Sequence, residues 1–401
     1  MLRRKITGAL VLAAAVLAAV AGTAQARTDA QGAAAASAYR VGIVYSRTGL
    51  LAAYGAEYIE GLKIGLVYAT GGTNKVNGHA IELNLQDDAT NPTTGVSESK
   101  DLIGQGYHIL AGSTSSGVAL QIAPLAAQNH VLFISGPAAS DAITGANRYT
   151  FRSGRQTWQD VLAANAFLPR GSIGKNILVF AQDSAFGAGN SAAVSAVLGG
   201  KGHKVSKILV PLSANDFTPF AQQAKNANPD LIFVAWAGTT AGAMWQSLQQ
   251  QGVLSSTKVV TGLAERATWQ SFGAAGTQVN FLSHYVWNAP KSKVNDYLVK
   301  TMKKRGQLPD LFTPDGFVAA QMIVHALQKA GSDDPDKMVS ALEGWRFTGP
   351  KGPEFVRPQD HALLQPMFQV KLVQKGSKWM DRVLGRISPG NLQPPVHPFG
   401  G

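Results

Sequence analysis

Three serine-bearing turns are the parts of this chain best suited to chemistry. Ala111-Gly112-Ser113-Thr114-Ser115-Ser116-Gly117 follows one apolar run and opens the stretch VALQIAPLAAQ. Ser135-Gly136-Pro137-Ala138-Ala139-Ser140-Asp141 follows the next, and Tyr45-Ser46-Arg47-Thr48-Gly49 follows the first, with Tyr54-Gly55 a few residues on. Hydroxyls and free main-chain N–H groups at a helix start donate hydrogen bonds and present the positive end of the helix dipole, which suits a carboxylate. Taken singly, each serine reads as a helix N-cap. Taken together, the turns read as a shared anion site.

Other constellations are weaker. Gly187-x-Gly189-x-x-Ala192 has the outline of a dinucleotide fingerprint, but it stands well past its strand, and no acidic residue closes the next apolar run, VSKILVPL. It reads as a glycine-containing helix entry. Ser97-x-x-Lys100 has a serine–lysine hydrolase spacing without the other members of that set. Asp87-Asp88 are neighbours at a strand end, where adjacent side chains point to opposite faces, so they read as caps of the following turn and helix. The 8 His are isolated, with no metal-ligand spacing. Cysteine is absent, which excludes disulfides, thiolate metal sites, thiol catalysis and a lipidated N-terminal Cys. No hydrolytic or redox constellation survives and no metal or cofactor is expected, so an enzyme reading rests on fold alone.

The elements that must position these turns alternate. Apolar runs at 41–45, 81–86, 109–111, 131–135, 177–181, 204–210, 231–236, 258–261 and 280–286 are separated by helical stretches. Many runs, such as ILVFA and LIFVAW, are continuous rather than alternating, as in parallel strands covered by helices on both faces. The fold class is α/β, doubly wound. In such sheets ligands bind at the carboxyl ends of the strands, where all three turns lie. One strand–helix series runs to about residue 156 and a second spans about 175–286. Long helices and an antiparallel pair, 367–373 with 379–383, follow.

With 401 residues and 45% apolar content, the chain can bury two cores. Its charged fraction of 15% is below the ~25% of average soluble chains, which excludes a charged disordered protein. Arg3, Arg4 and Lys5, the apolar run 9–22 and Ala24-Gln25-Ala26 have the layout of a secretory signal peptide cleaved after Ala26, too short in its apolar part to span a bilayer. The product is expected to be periplasmic or secreted. The net charge of +12 invites a nucleic-acid reading, but the cations are scattered and part of the excess leaves with the leader, so no nucleic-acid partner is expected.

The ordered set VGIVYSRTGLLAAYG, ELNLQDDATNP, AGSTSS, APLAAQNHVLFISGPAAS, FRSGRQTWQ, ILVFAQDSAFGAG, PDLIFVAWAG and FTPDGFVAAQMIVHALQKAG resembles type I periplasmic solute-binding proteins of the leucine/isoleucine/valine-binding family, which serve ABC importers. The resemblance covers about residues 39–383. It implies two doubly wound parallel-sheet lobes joined by three crossings. The divisions expected are 39–157 plus 287–345 for lobe 1, 158–286 plus 346–384 for lobe 2, a disordered leader at 27–38 and a Pro/Gly-rich tail at 385–401.

It also implies a ligand in the cleft, a small carboxylate such as a branched-chain amino acid, and a membrane permease as partner. A ligand sensor of the same fold, or a binder of an aromatic or other apolar acid, are the alternatives. Ser116 falls on the family's carboxylate-gripping serine, with Ser115 beside it. Ala138 and Ser140 fall on the second gripping turn, where serine replaces the usual threonine. Tyr54 matches a cleft tyrosine, Phe186 replaces one, and Trp236 lies on the next aromatic-bearing turn. Gln156 lies near the first crossing. The family's acidic acceptor for an ammonium group corresponds to Glu265, displaced by about one position, so either Glu265 or Arg266 faces the cleft.

Overall fold

The computed structural model describes residues 37–263 and 265–399; the expected export leader and residues 27–36 lie outside them. The first sheet contains β1 (Tyr39–Tyr45), β2 (Lys75–Val76), β3 (His79–Asp87), β4 (Ile109–Gly112), β5 (Leu132–Ser135) and β6 (Thr150–Arg152) in the order β2-β3-β1-β4-β5-β6. All pairs are parallel except β2 with β3. Helices α1 (Ala52–Ala69), α2 (Pro92–Gly104) and α3 (Ser116–Asn129) connect its strands.

The chain then crosses over. α4 (Thr157–Ala164), α5 (Ala185–Val197), α6 (Thr218–Asn226), α7 (Ala241–Gln250) and α8 (Val253–Ser256) accompany β7 (Asn176–Gln182), β8 (Lys204–Val210), β9 (Leu231–Ala235), β10 (Lys258–Thr261) and β11 (Asn280–Ser283). It returns through α9 (Lys293–Lys303), α10 (Thr313–Ala330) and α11 (Pro335–Leu342) to a small antiparallel sheet, β12 (Arg346–Gly349), β13 (Gly352–Val356) and β14 (Leu363–Leu364). It crosses a third time into β15 (Met367–Lys375) and β16 (Lys378–Ile387). These add antiparallel to β11, giving the second sheet the order β16-β15-β11-β10-β9-β7-β8. The result is two α/β lobes joined by three crossings.

Each lobe buries its own core. Strands such as β9, LIFVA, are buried along their whole length because helices cover both faces, hence the continuous apolar runs. α10 lies against α1 so closely that a Cβ on Gly61 would meet the Thr313 carbonyl oxygen and one on Gly316 that of Tyr58. Only glycine permits that approach of two backbones.

Two divisions read from sequence are corrected. Residues 346–364 sit with the first lobe, not the second: Val356 and Leu363 are buried in its core and Trp345 and Phe347 pack against it. The Pro/Gly-rich tail does not start at 385 and is not a free end. β16 runs to Ile387, Leu392 is fully buried among second-lobe residues, and the chain then docks on the first lobe. There Arg357 donates to the carbonyls of Pro394 (2.8 Å) and Pro395 (3.0 Å), and the His397 N–H donates to Asp360 Oδ2 (3.2 Å).

Charges are buried beside the crossings. Arg155 Nε stands 3.3 Å from Asp160 Oδ2, and Lys351 Nζ stands 2.5 Å from Asp315 Oδ1. Glu354 lies near the second pair, and burial pushes its carboxyl up to about 8, with the Lys351 charge opposing and Asp315 assisting.

Candidate functional site

A cavity of about 200 Å³ lies between the lobes at the carboxyl ends of both sheets. That is below the ~300–1,000 Å³ of sites for drug-sized ligands and suits a molecule with one ring or one branched chain. Its walls are mostly apolar: Leu50, Leu51 and Phe312 on one side, Phe186, Ala237 and Leu263 on the other. These residues, with Tyr54, form an apolar cluster that bridges the lobes.

The first-lobe wall is built on the α3 N-terminus. Ser115 is the N-cap, its side chain accepting from the Val118 N–H (3.4 Å). Ser116, in the first turn, is buried, and its Oγ accepts from the Ser140 N–H at 3.2 Å. Having accepted there, the hydroxyl keeps its own proton to donate into the cavity it borders. Behind it, Asp88 is fully buried and accepts from the Ser46 hydroxyl (2.7 Å), the Ser113 hydroxyl and the Thr90 N–H (2.7 Å). Asp87 accepts from the N–H groups of Arg47, Thr48 and Ala89. The acidic pair therefore braces the serine turns, while the cap of α2 is Asn91, which accepts from Thr93 and Thr94. A Cβ on Gly55 would collide with the Ser46 carbonyl, so glycine lets the start of α1, with Tyr54, sit against this turn.

The second-lobe wall repeats the device. Ser184 caps α5 and accepts from the Gly187 N–H at 3.2 Å; Ser184, Ala185 and Phe186 border the cavity. Gly187 and Gly189 belong to this helix start, as a plain glycine-containing entry requires. Gln182 pins the neighbouring turn, donating to the Ala237 carbonyl and accepting from its N–H, both at 3.0 Å.

The lobes touch across the cleft. Thr239 N–H donates to the Leu50 carbonyl (3.1 Å) and Gly238 N–H to the Tyr54 hydroxyl (3.0 Å). Tyr54 in turn donates to Glu265 Oε1 at 2.7 Å. Burial raises the Glu265 carboxyl to about 7, with the Tyr54 bond opposing and Asp310 adding to the rise. Burial, then the Glu265 charge, drives the Tyr54 hydroxyl well above its ordinary value. Arg266 turns away: its N–H meets Asp310 Oδ2 (3.1 Å), and its Nη2 donates to the carbonyls of Leu308 (2.9 Å) and Pro309 (3.0 Å).

Of the residues singled out from sequence, the structure brings Tyr54, Ser115, Ser116 and Phe186 to the cavity. Glu265 reaches the cleft but is engaged by Tyr54. Three stand elsewhere. Ala138 is fully buried behind Pro137 and Ala139, and its N–H already serves the Ser113 carbonyl (3.3 Å). Gln156 is buried, donates to Asp141 Oδ1 (3.0 Å) and forms a capping box with Gln159. Trp236 lies in the second core against Phe180 and Phe217, its indole N–H on Thr240 Oγ1 (3.0 Å). Ser140 serves through its N–H to Ser116. Sequence reading missed Arg155, Phe312 and Leu263; Arg155 stands in the stretch FRSGRQTWQ, where a cation in a crossing between apolar elements was the available signal. Among the described residues no group of three or more His, Asp or Glu is placed to hold a metal, and no helix is long and apolar enough to cross a membrane.

Residues 38–377 match the family described as periplasmic binding protein. A "Leu/Ile/Val-binding protein homolog 1" of Brucella abortus (strain 2308) is 26% identical over 309 residues, 76% of this chain and 81% of the relative. Among solved structures, an ABC-type branched-chain amino acid transporter from Rhodopseudomonas palustris CGA009 is 31% identical, with a TM-score of 0.74 over 90% of this chain and 99% of its own. A solute-binding protein of an ABC transporter from Rhodopseudomonas palustris BisB5, in complex with 3,4-dihydroxybenzoic acid, is 25% identical, with a TM-score of 0.79 over 88% of this chain and 98% of its own.

Proposed function

Since this chain belongs to the periplasmic binding protein family, we propose that it is the solute receptor of an ABC importer. It is exported by its N-terminal leader, cleaved after Ala26, and captures a small carboxylate by closing two lobes. The observation that carries this reading is the apolar cavity between the lobes, with the α3 N-terminus and the Ser116 hydroxyl on its wall.

The steps follow from the geometry. In an open form the carboxylate meets the first lobe, where Ser116 donates and the helix end supplies positive potential. The second lobe then rotates about the crossings. Leu263, Ala237 and Phe186 cover the apolar part of the ligand, and Tyr54 reaches Gly238 and Glu265. Closure is favoured only by contacts that the closed form makes with ligand and the open form lacks. The closed surface, drawn from both lobes, is what a membrane permease would recognise. The protein binds and releases its ligand unchanged.

The test is a thermal-shift screen of small acids with X-ray scattering on any that bind. A ligand at 100 times its dissociation constant stabilises by about 2.7 kcal/mol. A melting shift and a smaller radius of gyration are expected with the same compound. Binding without compaction, or turnover of the compound, overturns the reading.

A further inference from the structure

We infer that the ligand of this cavity is an apolar carboxylic acid without an ammonium group, and that Arg155 holds its carboxylate together with Ser116. This deepens the receptor reading and rests on it. Arg155 follows β6 at the first crossing, borders the cavity and is 1% exposed. Its Nη1 donates to the Pro137 carbonyl (3.1 Å), on the same turn that positions Ser140 and through it Ser116. Its Nε stands 3.3 Å from Asp160 Oδ2, outside hydrogen-bonding geometry, and among the described residues Nη2 has no hydrogen-bond partner.

A buried guanidinium N–H without an acceptor is costly, and because Arg155 borders the cavity, an acceptor that enters there can take the unpaired N–H. A guanidinium pairs with a carboxylate or a phosphate, and a cavity of about 200 Å³ with mostly apolar walls suits the carboxylate of an apolar acid. Ser116, on the same wall, supplies a second donor.

The rest of the wall excludes an amino acid. Among the described residues no Asp or Glu borders the cavity. Glu265 accepts from the Tyr54 hydroxyl and does not itself border the cavity. An ammonium group enclosed there would be desolvated without a counter-charge. Leu50, Leu51, Phe186, Leu263 and Phe312 instead offer an apolar sleeve closed by rings.

Isothermal titration of the purified protein with benzoate, 4-methylpentanoate, leucine and benzamide tests this. At least one of the two ammonium-free acids is expected to bind, leucine at least tenfold more weakly than 4-methylpentanoate, and benzamide not measurably. Arg155→Gln is expected to lose tenfold or more in acid affinity, with Arg155→Lys between it and wild type. Leucine binding as tightly as its deaminated counterpart, or full affinity in Arg155→Gln, overturns the inference and leaves the receptor reading standing. No binding by any of the acids, leucine included, overturns both. Should Arg155→Gln fail to fold, the leucine comparison in the wild-type protein still decides.

Discussion

Ser116 is a hydroxyl used in both directions, accepting from Ser140 and facing the cavity with its proton. Ser116→Ala removes both. Acid affinity is expected to fall by ~1–3 kcal/mol in titration, since a buried charged oxygen loses a donor. The unliganded protein is expected to lose about 1 kcal/mol in urea unfolding, because the Ser140 N–H is orphaned. Glu354 has a separate, stability role. Its folded value of about 8 exceeds that of an unfolded glutamate, so between roughly pH 4.5 and 8 the folded protein keeps a proton the unfolded chain has released. Stability from this group is therefore present at pH 4.5 and lost as pH rises through 8. Relative to Glu354→Gln, the wild-type protein should lose up to ~4 kcal/mol across that range, measured as unfolding free energy at several pH values. A parallel pH course in the two proteins would rule the assignment out.

At the scale of elements, β8 and β10 were legible to the residue and the other long strands to within a few; the clearest, such as β9, are sheathed by helices and show as unbroken apolar runs, whereas β8 is a half-exposed edge strand. The short pieces were not. β6 has 3 residues and β14 has 2, too few for any period to register, and β12 ends on Gly349 while β13 opens on Gly352-Pro353. The placement of the serine turns was readable from their position after strands. Which polar groups are already spent was not. Trp236 and Gln156 look like cleft residues until their partners on Thr240 and Asp141 are known, and Arg155 is one cation among many until, among the described residues, its Nη2 is seen to lack one. The α1–α10 contact allows a sharper test. In Gly316→Ala the new methyl meets the Tyr58 carbonyl and stands 2.8 Å from the Leu62 nitrogen, atoms that cannot yield without moving a helix. A loss of about 1–3 kcal/mol in urea unfolding is expected.

At the scale of the whole molecule, Tyr54 ties the lobes together. Tyr54→Phe keeps the ring against Phe312 and removes the bonds to Gly238 and Glu265. Ligand affinity is expected to fall by about tenfold, the equivalent of roughly 1.4 kcal/mol, with a larger radius of gyration at subsaturating ligand. An unchanged scattering profile would show that the bonds do not govern closure.

The docked C-terminal segment limits how the jaws can swing. Leu392 is rooted in one lobe and Pro394 is moored to the other, and a chain gains at most ~3.6 Å per residue when pulled straight. So short a leash leaves almost no slack on its own edge. The pivot must therefore run close beside it, and the gape must widen toward the opposite rim, so that solute enters from the side the leash does not span.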